Sequence, residues 1–286
     1  MTDQDRGSET ASGLSHVAAG ETARDHYTLA PLPWLAGCSD VGRRHETNQD
    51  ALALGGRETT QGRLAVLVIS DGVSTSLGSE ESAAIAAEVA SSTLIAMLRT
   101  MPDASAEQVQ ATLTDAFIAA NDAVLASTGP GPTPGSCTLI SAVLNEGRVS
   151  VGNVGDCRAY WIGDDASCHI LSVDDSLAQA RIDLGMSRED AERSFQAHAI
   201  TRWLGPDSQD VTPRVAALDV PGPGWLLVCS DGLWNYRSAP EDMTSLVHRI
   251  VDECEHDAAE SAAMLVAWAN EQGGRDNITV ALLRVG

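Results

Sequence analysis

The hydrophobic positions of the chain form two kinds of pattern. Continuous apolar runs at 64–70 and 224–230 are typical of strands that are buried on both faces. Residues 79–101 and 105–128 instead carry apolar side chains at helical spacing, and Ser79 is a candidate N-cap. The pattern therefore predicts two buried strands and two long helices that are adjacent along the chain.

The residues after the second helix predict further strands. The segment GPGPTPG cannot continue a helix, and the short runs CTLISAVLN, RVSVGNVG and CRAYWIG follow it, separated by turn signals. Such spacing is typical of antiparallel strands joined by tight turns. Two helical patterns occupy 240–272, and NITVALLRV indicates a last strand. This order predicts an α+β fold in which helices pack on antiparallel sheets.

Two segments lack a regular pattern. Residues 1–30 are polar and have no sustained periodicity, so we predict a disordered polar leader that is followed by a folded domain at 31–286. Residues 175–204 are polar and irregular, which favours an excursion over the surface of that domain.

The charge of the chain limits the kinds of molecule that it can bind. The chain has 40 acidic and 18 basic residues and a formal charge of -22, which would repel nucleic acid and an anionic membrane surface. Its six cysteines form no CxxC pair, and no apolar stretch reaches the roughly 18 residues that span a bilayer. We expect a cytoplasmic monomer with reduced cysteines that binds neither nucleic acid nor membrane.

Five aspartates stand at the boundaries of these strands. Asp71 and Asp231 each end a buried run and precede a glycine, while Asp50, Asp156 and Asp276 lie next to other runs. Any one of them alone indicates only a turn, because Asp-Gly and Asp-Asn pairs are common turn formers. Their repeated position at strand ends predicts that several of them meet at one edge of the sheets.

Converging carboxylates require a counter-charge. Two carboxylates about 5 Å apart repel by about 3 kcal/mol at an effective dielectric constant of about 20. Several such pairs rival the whole stability of a domain, roughly 5 to 15 kcal/mol. Ligation by oxygen alone favours Mg²⁺ or Mn²⁺ over zinc, and two such ions can share a water that attacks a phosphoryl group.

Five segments then carry a family resemblance. In chain order, SDVGRRHETNQD, ISDGV, GNVGDCRAY, CSDGLWN and GGRDNITV resemble the motifs of the metal-dependent protein phosphatases of the 2C type, in their bacterial form. The resemblance runs from about Trp34 to the end of the chain. It implies a four-layer α-β-β-α sandwich, with two antiparallel sheets flanked by helices, and hydrolysis of phosphoserine and phosphothreonine on proteins. Residues 31–286 would form the catalytic domain.

The resemblance also implies a role for most of the acids. Asp71 resembles the aspartate that bridges two metal ions, and the Gly72 carbonyl resembles the backbone ligand beside it. Asp231 and Asp276 resemble the remaining carboxylate ligands. Asp50 resembles the acid that orders a metal-bound water or reaches a metal through it. The resemblance thus implies two Mg²⁺ or Mn²⁺ ions and assigns the chemistry to these four aspartates.

A third ion and the protein partners are also implied. Asp156 resembles the ligand of a third, weaker metal that bacterial members bind. The expected partners are phosphorylated proteins, the products of a serine/threonine kinase.

The phosphate-binding position departs from the family pattern. The family places an arginine five residues before the aspartate of the first motif, and this chain has His45 there with Arg44 adjacent. Arginine is always charged and binds phosphate in a bidentate manner. We therefore predict that Arg44→Ala raises KM more than His45→Ala, and the reverse ranking would assign the phosphate to His45.

Two further departures leave other functions open. Gln49 replaces a common glutamate, and Val73 replaces a histidine that was proposed as general acid in animal members, so a metal-bound water is the default proton donor. With His45, these departures favour a pseudophosphatase that binds phosphoproteins without cleaving them. Another alternative is a two-metal hydrolase of small phosphoesters. The retained acid cluster favours the enzyme, since a scaffold has no need of mutually repelling carboxylates.

Overall fold

We describe the protein from a computed structural model, in which residues 15–18, 25–60, 62–127 and 134–286 are described. Two six-stranded sheets, each antiparallel throughout, form its centre. The first sheet contains, in spatial order, β1 (Ser15–Ala18), β4 (Asp50–Thr59), β5 (Gly62–Asp71), β6 (Leu139–Asn145), β7 (Arg148–Val154) and β10 (Arg214–Asp219). The second contains β2 (His26–Leu32), β3 (Leu35–Asp40), β12 (Ile278–Val285), β11 (Gly224–Cys229), β8 (Arg158–Gly163) and β9 (Cys168–Ile170).

Helices cover the outer face of each sheet. The long helices α1 (Ser79–Thr100) and α2 (Ala106–Ala126) pack on the first sheet, and α6 (Pro240–Glu253) and α7 (Ala258–Glu271) pack on the second. Three short helices complete the described elements: α3 (Leu177–Asp183), α4 (Arg188–Glu192) and α5 (Asp231–Trp234). The predicted four-layer α-β-β-α sandwich is confirmed.

The alternation of side chains in β5 shows how the layers form. Val66 and Val68 contact the α1 and α2 layer, whereas Leu67 and Ile69 lie in the apolar layer between the sheets. Both faces of the strand are therefore buried, which is why its sequence is apolar without interruption. Because side chains alternate with a period of two, every odd-numbered position near the end of β5, including Asp71, faces the second sheet.

The predicted N-cap at Ser79 is wrong, whereas α2 begins with a complete capping box. Ser105 caps α2 in a capping box, in which its hydroxyl accepts from the Gln108 amide and the Gln108 side chain accepts from the Ser105 amide. Ser79, by contrast, is the first residue of α1, and Gly78 occupies the N-cap in a left-handed conformation. The Ser79 hydroxyl accepts instead from Gln49 Nε2 at 2.5 Å, so this side chain is already committed to another contact.

The predicted disordered leader at 1–30 is wrong in part. Strand β1 pairs with β4, and β2, which starts at His26, pairs with β3. Polar and apolar residues of β2 alternate in exposure, so an edge strand of this kind needs few apolar side chains and escapes a search for hydrophobic runs. Residues 1–14 and 19–24 of the expected leader lie outside the described residues.

The three short runs after α2 form strands as predicted, but they do not form one sheet. Strands β6 and β7 pair in a hairpin, while β8 crosses to the second sheet and pairs with β11 and β9. The crossing occurs at Gly155, whose φ of 104° favours glycine, and it places Asp156 between the two sheets.

The predicted surface excursion is a small subdomain, which we call the flap (residues 175–207). It contains α3 and α4, which pack around their own small cluster of Ala178, Ala191 and Ala197. Among the described helices, α1 alone has the length and apolar composition to cross a membrane, yet 56% of its most apolar window is buried inside the protein, as in a core helix.

Candidate metal centre

The register of β4 and β5 places two of the expected metal-site acids side by side. Asp50 and Asp71 are direct partners in this antiparallel pair, so both side chains lie on the same face. Leu52 and Leu67 lie on that face as well and contact the second sheet. The carboxylates of Asp50 and Asp71 are therefore delivered to the end of the space between the two sheets.

Three strand boundaries of the second sheet reach the same place. Asp231 lies two residues after the end of β11, Asp276 two residues before the start of β12, and Asp156 two residues before the start of β8. Strand β11 lies between β12 and β8, and its last residue, Cys229, pairs with Val280 on one side and with Arg158 on the other. These three acids therefore share one edge of the second sheet, opposite Asp50 and Asp71.

Asp50 spans the gap between the sheets. Its Oδ2 accepts hydrogen bonds from Ser230 Oγ at 2.9 Å and Thr279 Oγ1 at 2.7 Å, both in the second sheet. Its Oδ1 is buried and has no hydrogen-bond partner, and the same is true of Oδ1 of Asp231, whose Oδ2 accepts from Asn235 at 2.9 Å. Each of these two carboxylates thus has a buried oxygen that lacks the partner such atoms require.

Burial and mutual repulsion raise the pKa values of these acids. Burial is the first cause for Asp71 and holds its pKa well above the ordinary value, with the charge of Asp50 as the next cause. The pKa of Asp231 is raised well above its usual range by burial and then by Asp156. Burial lifts the pKa of Asp50 to about 6, against the opposing hydrogen bonds.

Asp156 shows the same behaviour. Burial, followed by repulsion from Asp174, raises its pKa to about 7. A positive charge placed among these acids would reverse the repulsion and favour their ionised forms.

The donor set fits divalent cations that prefer oxygen. In the described part of the chain, no group of three or more His, Cys, Asp or Glu side chains is arranged to hold a metal ion by itself. Mg²⁺ does not need one, because it binds through one or two carboxylates and keeps several waters. Such ions would bind the partnerless oxygens of Asp50 and Asp231 and would offset the mutual repulsion of the acids.

The acids open into a cavity of about 650 Å³. Asp71, Asp156, Asp231 and Asp276 form its floor, residues 72–76 after β5 form one wall, and flap residues 198–207 contribute the other. A second cavity of about 360 Å³ lies beyond Asp231 and Asp276. The acid cluster is thus accessible from two sides.

Glycines are required beside two of the acids. A Cβ atom at Gly72 would lie 2.8 Å from the Gln49 carbonyl oxygen and 2.9 Å from that of Ser79. A Cβ atom at Gly232 would overlap the Asn277 carbonyl oxygen. The Asp-Gly pairs therefore let two backbone segments approach closely behind the acids.

The two residues expected to hold phosphate lie in different surroundings. His45 Nε2 is 3.1 Å from Asp276 Oδ1, so this imidazole is at the rim of the acid cluster. Arg44 is exposed. The permanent charge of arginine favours Arg44, whereas the geometry brings His45 close to the acids.

A buried arginine supports the cluster from behind. Arg158 binds Asp174 through Nε and one terminal nitrogen, at 2.7 to 3.1 Å, and its guanidinium lies 3.6 Å from the centre of the Trp234 ring. Trp234 Nε1 donates to the Asp156 carbonyl at 2.9 Å. Trp234 is the last residue of α5, and Asp231 is the first. The contacts of Trp234 therefore fix Asp156 and Asp231 relative to each other.

Sequence reasoning missed two residues of the site. His198, in the flap, lines both cavities, and Arg275, next to Asp276, lines the second. The sequence around His198 carries no repeated pattern that marks it. Arg275 could have been noticed as the basic residue inside the motif GGRDNITV.

Comparison with known proteins identifies the family. The model of the family described as Protein phosphatase 2C matches residues 41–269. The serine/threonine phosphatase stp of Listeria innocua is 28% identical over 250 residues, 86% of this chain and 93% of its own length. The serine/threonine protein phosphatase PstP of Mycobacterium tuberculosis is 31% identical over 251 residues, 86% of this chain and 44% of PstP.

Solved structures agree. The S. agalactiae serine/threonine phosphatase, 22% identical, has the same fold, with a TM-score of 0.71 over 91% of this chain and all of that one. The catalytic domain of a PstP in complex with two manganese ions is 25% identical, with a TM-score of 0.61 over 88% of this chain and 98% of that one. The chain belongs to the protein phosphatase 2C family and is a protein serine/threonine phosphatase.

Proposed function

We propose that the protein hydrolyses phosphoserine and phosphothreonine on proteins by direct attack of water at a centre for two Mg²⁺ or Mn²⁺ ions. Asp71, the Gly72 carbonyl, Asp231 and Asp276 would hold the ions. Asp50, fixed by Ser230 and Thr279, would orient water beside them. When bound, the ions supply the Lewis acidity that activates water and stabilises charge on the phosphoryl group.

The convergence of acids from separate chain segments carries this proposal. Asp50 and Asp71 come from the first sheet and Asp231 and Asp276 from the second. Burial and, after it, mutual repulsion raise the pKa values of Asp50, Asp71 and Asp231. A protein that only needed stability would gain by neutralising them. The catalytic domain of PstP, solved with two manganese ions, supports the same cations here.

Asp156 is the proposed ligand of a third, weaker ion. It lines the larger cavity together with Asp71 and Asp231, and its carbonyl accepts from Trp234.

His45 is the proposed contact for the substrate phosphate, with Arg44 in a secondary role. The imidazole lies 3.1 Å from Asp276, whereas Arg44 is exposed. This assignment reverses the ranking expected from charge alone.

The second candidate function, a phosphoprotein-binding module without activity, loses one of its supports. Gln49 donates to the Ser79 hydroxyl at the start of α1, so the amide has a structural contact of its own. We further propose that the catalytic domain includes β1 and β2, that the protein acts as a cytoplasmic monomer, and that its substrates are products of a serine/threonine kinase.

Chelation tests the proposed function. A phosphothreonine peptide should be hydrolysed with Mn²⁺ or Mg²⁺, and EDTA should reduce the rate at least about 100-fold, with recovery when Mn²⁺ is restored in excess. A rate that survives prolonged dialysis against EDTA would refute the proposal.

A further inference from the structure

The two cavities at the acid cluster have three residues in common. Asp231 and Asp276 are two of them, and both are proposed metal ligands; the third is His198 of the flap. All seven histidines of the chain lie in the described residues, and none of the other six lines either cavity. A substrate that fills one cavity and extends into the other must therefore pass this imidazole.

The backbone around His198 is held firmly although its side chain is exposed. The carbonyls of both neighbours, Ala197 and Ala199, accept hydrogen bonds from the first helical residues of α3, at 2.9 and 3.0 Å. The Ala197 side chain is buried in the flap cluster. The position of the imidazole is therefore set by the flap and not by a loose loop.

The ring itself lies against a fixed aromatic surface. Its centre is 5.8 Å from that of Trp234, at an interplanar angle of 44°. Trp234 is in turn held by Arg158 and by its hydrogen bond to the Asp156 carbonyl. The imidazole is thus positioned relative to the acids through a short chain of packed groups.

The reaction needs a proton donor at this place. A serine or threonine oxygen leaves as an alkoxide unless it receives a proton, and positioned acids accelerate such steps about 100- to 10,000-fold. Val73 on the opposite wall carries no proton to give. Arg275 does not release its proton in proteins, and Tyr236 lines the second cavity but not the larger one.

We propose that His198 is the general acid that protonates the departing serine or threonine oxygen. A water oxygen forms a bond to phosphorus while the bond between phosphorus and the substrate oxygen breaks. The electron pair of the broken bond stays on that oxygen, which takes the proton from the His198 imidazolium. The proton lost by the attacking water passes to solvent, and solvent returns one to the imidazole. The products are the free hydroxyl and inorganic phosphate.

This assignment depends on the phosphatase reaction but not on the number or identity of the ions. The charged and titratable groups that line the two cavities with His198 are Asp71, Asp156, Asp207, Asp231 and Asp276, together with Arg275 and Tyr236 of the second cavity.

A comparison of leaving groups tests the role. The para-nitrophenolate of para-nitrophenyl phosphate leaves without a proton, whereas the alkoxide of a phosphoserine peptide does not. His198→Asn should lower kcat for the peptide by about 100-fold or more and kcat for para-nitrophenyl phosphate by less than about threefold. His169→Asn, at an exposed histidine of β9, serves as the matched control and should change neither rate.

Chemical rescue gives a second readout. Added imidazole should restore peptide hydrolysis by His198→Ala at concentrations that leave the wild-type rate unchanged. Equal loss of kcat on both substrates would overturn the proposal in favour of a structural role. A rise in KM with unchanged kcat would overturn it in favour of substrate binding. Neither result would affect the metal-dependence test, which uses the wild-type protein.

Discussion

Asp50 and Asp71 face each other as direct partners across β4 and β5, and their side chains point into the space between the sheets. In a strand pair, like charges placed directly opposite each other destabilise the sheet. This pair persists beside Asp231, which adds further repulsion to Asp71. The arrangement is costly for a metal-free protein and useful for one that binds cations.

Removal of one acid should therefore separate stability from activity. Asp71→Asn should raise the free energy of unfolding in EDTA by about 1 to 3 kcal/mol, because it removes repulsion. It should also abolish turnover of a phosphopeptide in Mn²⁺. Urea denaturation and a steady-state assay measure the two effects. Asp219→Asn, at an exposed acid paired with Arg148, is the control and should alter neither. An Asp71→Asn protein that is less stable in EDTA would contradict the argument.

The metal-free protein should lose stability as the pH rises. The folded-state pKa values of Asp50, about 6, and Asp156, about 7, lie above the ordinary value of 3.8. Folding then favours the protonated carboxyls, so their contribution is complete below about pH 4 and is lost as the pH passes through 6 and 7. For Asp50 the loss is roughly 3 kcal/mol.

Thermal denaturation in EDTA between pH 4 and 8 measures this loss. Asp50→Asn should show a smaller decline in Tm than the wild type over that range, and saturating Mn²⁺ should remove most of the difference. Parallel pH profiles for the wild type and Asp50→Asn in EDTA would show that this carboxyl does not titrate as described.

The phosphate contact predicts an asymmetry between two neighbours. His45→Ala should raise KM for a phosphopeptide about tenfold, because the imidazole lies beside Asp276. Arg44→Ala should raise KM less than threefold, because its side chain is exposed. Initial-rate kinetics in Mn²⁺ distinguish them. A larger effect for Arg44→Ala would restore the ranking that charge alone suggests.

The Arg158 ion pair predicts a large stability effect. Arg158→Met leaves the buried Asp174 carboxylate without its partner and should cost about 3 to 5 kcal/mol in the free energy of unfolding. The double variant Arg158→Met, Asp174→Asn should lose clearly less, since no buried charge is then unpaired. Equilibrium denaturation of the single and double variants measures both losses of stability. Equal losses would show that the unpaired Asp174 charge does not cause the destabilisation.

Much of the fold could be predicted from the spacing of hydrophobic residues, because the central strands of both sheets are buried on both faces. Strands such as β5 and β11 read as uninterrupted apolar runs, and α1 and α2 as long helical patterns. What the pattern missed were edge strands. β1 and β2 lie at the two sheet edges, where hydrogen bonds to β4 and β3 replace apolar burial as the main constraint.

The acids of the site could be predicted because each follows or precedes a strand, but their relative positions could not. The crossing of β8 to the second sheet, which carries Asp156 there, depends on long-range pairing with β11. His198 escaped for a related reason, since the flap has few apolar residues and its place over the acids is set by packing on Trp234. Contacts between distant segments leave no local pattern.

A structure of the protein crystallised with Mn²⁺, with the ions located by anomalous scattering, tests the proposed metal centre most directly. We predict two strong peaks in the cluster, with Asp71 contacting both, and Asp231 and Asp276 completing the protein ligands. If no manganese peak lies within bonding distance of Asp71 and Asp231 at a concentration that supports full activity, these acids do not form the metal centre.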